Sequence, residues 1–343
     1  MSGVFDTKKH KKRILTGDTP TGRLHLGHYI GTLENRVKLQ HEYETFIILA
    51  DTHAFAYPKY IDDPVYIAKA TIDITIANLA VGLNPESTTF FVESGIPEIY
   101  ELATFFSMLV SHNRALRNPT IKDEIKMKSL GDSYSLGFIF FPLLQVADII
   151  GVKADLVPVG IDQKPHVEQA LEVVSRFNSM YGEVFPVPKA LIGRVGKLVG
   201  TDGNPKMGKS LNNCVFLNDS EEDLKSKIMN MFTDPARIHA SDPGRVEGNP
   251  VFIYHDAFNP NKDEILDLKD RYVKGQVGDV EVKTKLFNAL NTFLGPIRDR
   301  YKYYDERRED VKDILIQGTA RTREVVRETL EETKDKMHLL NSL

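Results

Sequence analysis

The first half of the chain alternates short apolar segments with longer helical patterns, and this alternation constrains the fold more than any other feature of the sequence. Short apolar runs that end at Gly, Asp or Pro predict buried strands at residues 13–16, 45–51, 88–93 and 154–159. Two of the intervening segments, residues 26–42 and 63–81, carry apolar residues at helical spacing and predict helices. Strands that alternate with helices form a parallel sheet, which binds ligands at the carboxyl ends of its strands.

The second half has a different pattern. After about residue 216, the segments 221–231, 281–303 and 322–337 are long, charged and helical, without a convincing strand between them. We therefore predict an α/β protein with a Rossmann-like parallel-sheet domain over residues 1–216. An all-helical domain over residues 217–343 follows, and its last helix is expected to pack back on the first domain.

Composition limits the class of protein. The chain has 343 residues, 41% of them hydrophobic and 27% charged, which suits a globular protein with a substantial core. The single cysteine, Cys214, excludes an internal disulfide and a multi-cysteine metal site. With no apolar run long enough to span a bilayer and no secretory signal, we expect a cytoplasmic protein. Because the net charge is −4, an RNA partner would need local basic patches, for which residues 8–13 and 114–128 are candidates.

Residues 13–28 contain the most informative motif. A strand ends at Gly17, a turn follows, and a helix opens near His25. Gly27 leaves room for a ligand at the first helical turn, where free N–H groups favour phosphate. His25 and His28 lie three residues apart and can both donate to phosphoryl oxygens. The alternatives are a metal pair, for which no third His or Cys lies nearby, and an ordinary βα turn.

A second motif, the lysine loop, occupies residues 203–211. Lys206 and Lys209 lie three apart among Gly, Asn and Pro residues, a pattern typical of a mobile, positively charged loop. Such cations can stabilise the charge that builds on a departing phosphate group. Taken alone, the segment is more often an ordinary surface loop.

Together the two motifs resemble a known family. His25-Leu26-Gly27-His28 resembles the HIGH signature of class I aminoacyl-tRNA synthetases, and the lysine loop resembles their KMSKS loop, with Gly208 where Ser is usual. The resemblance implies ATP with Mg²⁺ as cofactor and no metal ligands from the protein. The catalytic residues that it implies are His25, His28, Lys206 and Lys209. The implied ATP site comprises Gly17, Thr19, Gly27, His28, Gly160, Asp162, Gln163, Lys206, Met207, Lys209 and Ser210.

Further stretches resemble the tryptophanyl and tyrosyl members of this class. Residues 156–163 resemble their nucleotide-binding segment, in which Asp162 would bind ribose; helix capping by Asp162 is the alternative. Asp148 lies in an apolar helix and needs a partner, and the resemblance makes it the acceptor for an indole N–H. A structural carboxylate bonded to backbone is the alternative. The implied tryptophan site comprises Leu15, Thr16, His53, Gln145, Asp148, Val157, Val159 and Gln163.

Tryptophan is favoured over tyrosine as the substrate. The first strand, Ile14-Leu15-Thr16, lacks the Tyr that tyrosyl enzymes use, and residues 156–163 and 318–330 are closer to tryptophanyl enzymes. Thr19 and Gln145 depart from the usual residues. The resemblance implies a homodimer that charges tRNA(Trp), with the helical domain binding the anticodon. A tyrosyl enzyme, an HxGH nucleotidyltransferase without tRNA and a non-catalytic paralogue remain as alternatives.

Overall fold

A computed structural model describes residues 11–127, 134–193, 198–205, 207–235 and 237–339. Its sheet has five parallel strands in the order β3-β2-β1-β4-β5. They are β1 Arg13–Asp18, β2 Glu44–Leu49, β3 Thr88–Val92, β4 Leu156–Val159 and β5 Lys189–Ile192. The strand order reverses between β1 and β4, so the crevice for ligands lies at the carboxyl ends of these two strands. The predicted Rossmann-like parallel sheet is confirmed.

Ten helices accompany the sheet in the described part of the first 200 residues, and five follow. The first ten are α1 Leu26–His28, α2 Glu34–Leu39, α3 Asp51–Ala54, α4 Pro58–Ile61, α5 Pro64–Ala80, α6 Pro97–Ser107, α7 His112–Leu116, α8 Pro119–Met127, α9 Leu136–Gly151 and α10 Lys164–Tyr181. The last five are α11 Glu221–Met229, α12 Pro250–Phe258, α13 Lys262–Val273, α14 Asp279–Asp305 and α15 Arg308–Lys336. No helix in the described ranges has both the length and the apolar character needed to cross a membrane.

Two details differ from the prediction. A single helix was expected over residues 26–42, but a π-helical turn at Tyr29–Leu33 separates α1 from α2, which ends at Leu39. Strand β5 was not predicted at all, because it has only four residues, begins with exposed Lys189 and has no strongly buried side chain. Short edge strands of this kind lack the apolar pattern that identifies central strands.

Apolar side chains cover both faces of the sheet, as expected for parallel strands that helices enclose. On one face the core runs from Ile47 in β2 through Ile74 in α5 to Leu290 in α14, so the sheet and the later helices share it. On the other face α6, α9 and α10 pack, together with the last helix, α15, through Val326.

Helix α15 also crosses the edge strand β3 at close range. The hydroxyl oxygen of Thr319 accepts a hydrogen bond from the Val92 N–H at 3.0 Å. Next to it, a Cβ on Gly318 would lie 1.8 Å from the Phe90 carbonyl oxygen, so only glycine allows this approach.

Candidate active site

A buried ion pair fixes the carboxyl end of β1. Arg36 Nη1 lies 2.6 Å from Asp18 Oδ2, and the guanidinium also donates to the Gly17 carbonyl and to the Asn78 side chain. Burial raises the pKa of Asp18, but the charge and hydrogen bonds of Arg36, helped by Asn78, outweigh it and hold that pKa below its ordinary value. A fixed carboxylate therefore lies behind the predicted phosphate site. A Cβ on Gly17 would lie 2.0 Å from the Ile48 carbonyl oxygen, so this strand end also needs glycine.

The two histidines of the first motif cap the helix they begin. His25 is the N-cap of α1, and its Nδ1 accepts from the Gly27 N–H at 3.2 Å. Reciprocally, the Nδ1 of His28 accepts from the His25 N–H at 3.0 Å. Because each Nδ1 acts as an acceptor, a neutral ring must carry its proton on Nε2. Both side chains are therefore set as Nε2–H donors.

The surroundings keep both imidazoles neutral. Burial lowers the pKa of His25 to about 2, with His28 and Lys209 adding to the effect. Burial and the charge of Lys209 likewise lower the pKa of His28 to about 4, although Asp18 opposes them. At neutral pH the pair can donate hydrogen bonds without bringing charge of its own.

The lysine loop lies against the first motif. Lys209 Nζ donates to the Gly22 carbonyl at 2.8 Å. A Cβ on Gly27 would lie 3.1 Å from the Met207 sulfur, so the loop closes over the first turn of α1. The Gly208 N–H donates to the buried Asn213 side chain, which braces the loop. Burial lowers the pKa of Lys209, and the charge of Asp18 opposes this effect.

The lysine loop contains two further predicted site residues, Lys206 and Ser210. Lys206 lies outside the described residues. Ser210 is in a short 3₁₀ turn, Lys209–Leu211, which follows Gly208.

The end of β4 carries the predicted nucleotide segment. Gly160 follows the strand, and a Cβ there would lie 2.7 Å from Asp162 Oδ1. Asp162 is exposed and accepts from Gln163 Nε2 at 2.9 Å, while Gln145 Nε2 lies 3.5 Å from Gln163 Oε1. Neither the 3₁₀ turn that contains Asp162 nor α10 has a side-chain cap, so helix capping does not explain this carboxylate.

A buried trio of ionisable groups forms a second part of the site. His53 Nε2 lies 3.3 Å from Asp148 Oδ2 and 3.3 Å from Glu93 Oε1. Burial alone would lower the pKa of His53, but the two carboxylates raise it to about 10. Burial and the charge of Glu93 raise the pKa of Asp148 to about 7. The imidazolium of His53 is therefore the partner that Asp148 needs. The other carboxylate oxygen of Asp148, Oδ1, is buried and has no hydrogen-bond partner.

The same trio has the donor types that a metal ion accepts. One possible ligand atom from each residue lies within 4.8 Å of the others. Among the described residues, these three form the cluster whose spacing could hold a metal ion. A protonated imidazole between two carboxylates satisfies these contacts without a metal, and the raised pKa of His53 favours that state.

The other predicted substrate residues line the strand ends. Leu15, Val157 and Val159 are buried in the core beneath the site. The Thr16 hydroxyl donates to the Pro158 carbonyl at 2.7 Å, so its proton is used between β1 and β4. Thr19 lies half-buried in the turn after β1.

The sequence interpretation missed four polar residues that organise the site. They are Asp18, Arg36, Asn78 and Glu93. For Asp18 and Glu93 a signal existed, since each is a carboxylate at the end of an apolar strand, where parallel sheets place functional groups. Arg36 and Asn78 lie within helices and are polar residues on otherwise buried positions.

Comparisons with known proteins identify the family. The family described as "tRNA synthetases class I (W and Y)" matches residues 7–295. The tryptophan–tRNA ligase of Borreliella burgdorferi is 46% identical over 331 residues, covering 96% of this chain and 94% of the relative. That of Treponema pallidum is 46% identical, covering 95% and 97%. The crystal structure of tryptophanyl-tRNA synthetase from Campylobacter jejuni with ADP and tryptophan is 30% identical, with a TM-score of 0.83 over 95% of this chain and 100% of that one. The chain therefore belongs to the class I tRNA synthetases of the tryptophan and tyrosine group.

Proposed function

We propose that this chain activates L-tryptophan with Mg²⁺-ATP and transfers it to tRNA(Trp). The contact between Lys209 and Gly22 carries the proposal, because it joins the two motifs of a phosphate site from distant parts of the chain. The relatives named tryptophan–tRNA ligase support the choice of substrate.

In the first step, an oxygen of the tryptophan carboxylate attacks the α-phosphorus of ATP, and the bond from that phosphorus to the bridging oxygen breaks to release pyrophosphate. Negative charge moves onto the departing phosphates. The Nε2–H groups of His25 and His28 would donate to phosphate oxygens, and Lys209 would exchange its bond to a neutral carbonyl for one to a phosphate. Positioning and electrostatics of this kind supply most of the catalysis in phosphoryl transfer, so no protein nucleophile is needed.

The indole of tryptophan would bind against the buried trio. An indole N–H can only donate, and the unpartnered Oδ1 of Asp148 is an acceptor of matching chemistry. Gln163, which lies next to Gln145, would bind the polar end of tryptophan or the ribose. In the second step, a hydroxyl of the terminal tRNA ribose attacks the carbonyl carbon of the adenylate and releases AMP.

We propose that Mg²⁺ arrives with the nucleotide. The carboxylate behind the histidines, Asp18, has both oxygens bound by Arg36, and Asn78 binds one of them as well. It is therefore a poor candidate for a metal ligand. This supports coordination by phosphate oxygens, and no step is assigned to a protein-bound ion.

The proposal extends to partners and domains. Residues 1–216 would form the catalytic domain and residues 217–343 the helical anticodon-binding domain of a cytoplasmic homodimer. For the acceptor stem, Lys122 and Lys126 on α8 are exposed, whereas Arg114 already pairs with Glu172 at 2.5 Å. For the anticodon, Lys302 and Arg307 are exposed, whereas Arg308 pairs with Asp73 and Asp305.

Amino-acid-dependent exchange of pyrophosphate into ATP tests the activation step. It should be run with tryptophan, with tyrosine and without an amino acid. Exchange with tryptophan alone is the expected result. Exchange with tyrosine instead would move the assignment to the tyrosyl enzymes, and silence in a folded, ATP-binding protein would favour a non-catalytic paralogue or a nucleotidyltransferase.

A further inference from the structure

The buried trio that includes Asp148 contains a second carboxylate, which the proposed chemistry does not use. Glu93 is fully buried at the end of β3, and neither of its carboxylate oxygens has a hydrogen-bond partner. A buried carboxylate is costly unless an opposite charge compensates it. The compensating charge is His53, which also faces Asp148.

The imidazolium of His53 lies at equal distances from the two carboxylates. Its Nε2 lies 3.3 Å from an oxygen of Glu93 and 3.3 Å from an oxygen of Asp148, yet a single Nε2–H cannot donate fully to both. Burial and the charge of Glu93 raise the pKa of Asp148 to about 7, so this carboxylate is ionised above neutral pH. Two carboxylates and one imidazolium then carry a surplus of negative charge, about −1 in total. The Oδ1 of Asp148, which is buried and unpartnered, is the oxygen left for a further donor.

Neighbouring groups do not remove this surplus. Asp51 adds negative charge and is held by Ser94, whose hydroxyl donates to it at 2.6 Å. Burial, followed by the charge of Glu93, raises the pKa of Tyr100, so its phenol is neutral. Burial and the charge of His53 lower the pKa of His166 to about 4, so that ring is also neutral at pH 7.

We infer that Glu93 is a positioning residue for substrate recognition. Because Glu93 attracts the His53 imidazolium as strongly as Asp148 does, Asp148 stays a strong, free acceptor for an N–H donor. Without Glu93, His53 would pair with Asp148 alone and compete with the ligand for it. The inference rests on the proposed function and adds a specificity residue to it. A site with surplus negative charge binds an indole, whose N–H can only donate, more tightly than a ring without a donor.

The variant Glu93→Gln keeps the shape and removes the charge. The preference to measure is the ratio of dissociation constants for L-tryptophan and for its benzothiophene analogue, in which sulfur replaces the N–H. Calorimetry should show tryptophan binding weakened roughly tenfold, the scale of a hydrogen bond to a charged group, and analogue binding unchanged. Glu86→Gln, at an exposed position before β3, is the matched control and should change neither constant.

Two further measurements separate recognition from simple structural damage. Histidine-labelled NMR should show the pKa of His53 falling in Glu93→Gln, and Glu93→Asp, which keeps the charge, should recover most of the tryptophan preference. Equal loss for tryptophan and analogue, or no loss for either, would overturn the role of Glu93. If the wild-type chain bound no tryptophan, the proposed function itself would fall, whereas normal binding with an unchanged ratio in Glu93→Gln would overturn this inference alone.

Discussion

The ammonium group of Lys209 donates a hydrogen bond to the carbonyl oxygen of Gly22, 187 positions earlier in the chain, with 2.8 Å between Nζ and the oxygen. Gly22 has a φ of +117°, a backbone conformation that L side chains rarely adopt, so the turn presents this carbonyl only with glycine there. A hydrogen bond to a neutral oxygen is easily exchanged for one to a phosphate, which is a stronger acceptor. The lysine loop is thus held near the histidines by a bond that a phosphate oxygen can replace.

Replacing this lysine tests its assigned role. Lys209→Met should lower the rate of tryptophan-dependent ATP–pyrophosphate exchange by about 10²–10³, the cost of losing one transition-state donor. The dissociation constant for tryptophan should stay unchanged, because the buried trio is intact. Lys274→Met, at the exposed C-cap of α13, is the control. A normal exchange rate in Lys209→Met would refute the role.

Asp148→Asn tests the acceptor for the indole. The amide oxygen can still accept but carries no charge, so the KM for tryptophan should rise about tenfold or more. The KM for ATP should change little, since the phosphates bind at the other part of the site. Steady-state exchange kinetics with each substrate varied in turn measure both values. Equal increases in the two constants would contradict the assigned role.

The half-buried histidines of the first motif predict a loss of stability in acid. The pKa of His28 is lowered to about 4 in the folded chain, against about 6.5 when unfolded, so between these values the unfolded state binds more protons. Stability is therefore lost as pH falls from about 6.5 to 4. Urea unfolding at pH 7 and pH 4.5 should show a loss about 2–3 kcal/mol smaller in His28→Gln than in the wild type. An identical loss in both proteins would show that His28 is not held neutral.

The ion pair at the end of β1 predicts a large cost for a single substitution. Arg36→Met leaves Asp18 as a buried charge without its main partner and should lower the free energy of unfolding by about 3–5 kcal/mol. Lys38→Met, on the same helix, removes only an exposed pair with Glu34 and should cost less than about 1 kcal/mol. Chemical denaturation of both variants gives the comparison. Similar small effects would mean that water already solvates Asp18.

Two glycines with different surroundings give a matched prediction about packing. Gly318→Ala would place a Cβ 1.8 Å from the Phe90 carbonyl oxygen, so it should destabilise the chain by at least about 1–3 kcal/mol. Gly31→Ala meets no atom within 4 Å and should be neutral or stabilise by up to about 1 kcal/mol. Thermal unfolding of both variants measures the difference. A stable Gly318→Ala protein would mean that α15 can move away from β3.

Features of the fold that depend on local pattern could be predicted from sequence. The central strands are apolar runs bounded by turn residues, and the place of His25 and His28 together at a helix N-terminus follows from their spacing. Strand β5 could not be predicted, because four residues at a sheet edge have no burial pattern to read. The π-helical turn after His28 could not be predicted either, since its residues have ordinary helical spacing.

Contacts between distant parts of the chain were the other limit. The pairing of Arg36 with Asp18 depends on where a helix returns across the sheet, and only the folded chain fixes that. The same holds for Glu93: its place at the end of β3 is visible in the sequence, but its partners are not, because α3 and α9 bring His53 and Asp148 to it. Sequence therefore predicted residue types for the candidate site but not the buried charges beside them.

The hydrogen bond from Val92 to Thr319 has a consequence for how the protein is made. Val92 precedes Glu93, and its partner is synthesised 227 residues later. On the ribosome, the sheet edge that carries Glu93 emerges long before α15 and lacks this contact until residue 319 has been added. The strand that ends at Glu93 thus gains this support late, and a chain cut short before α15 lacks it.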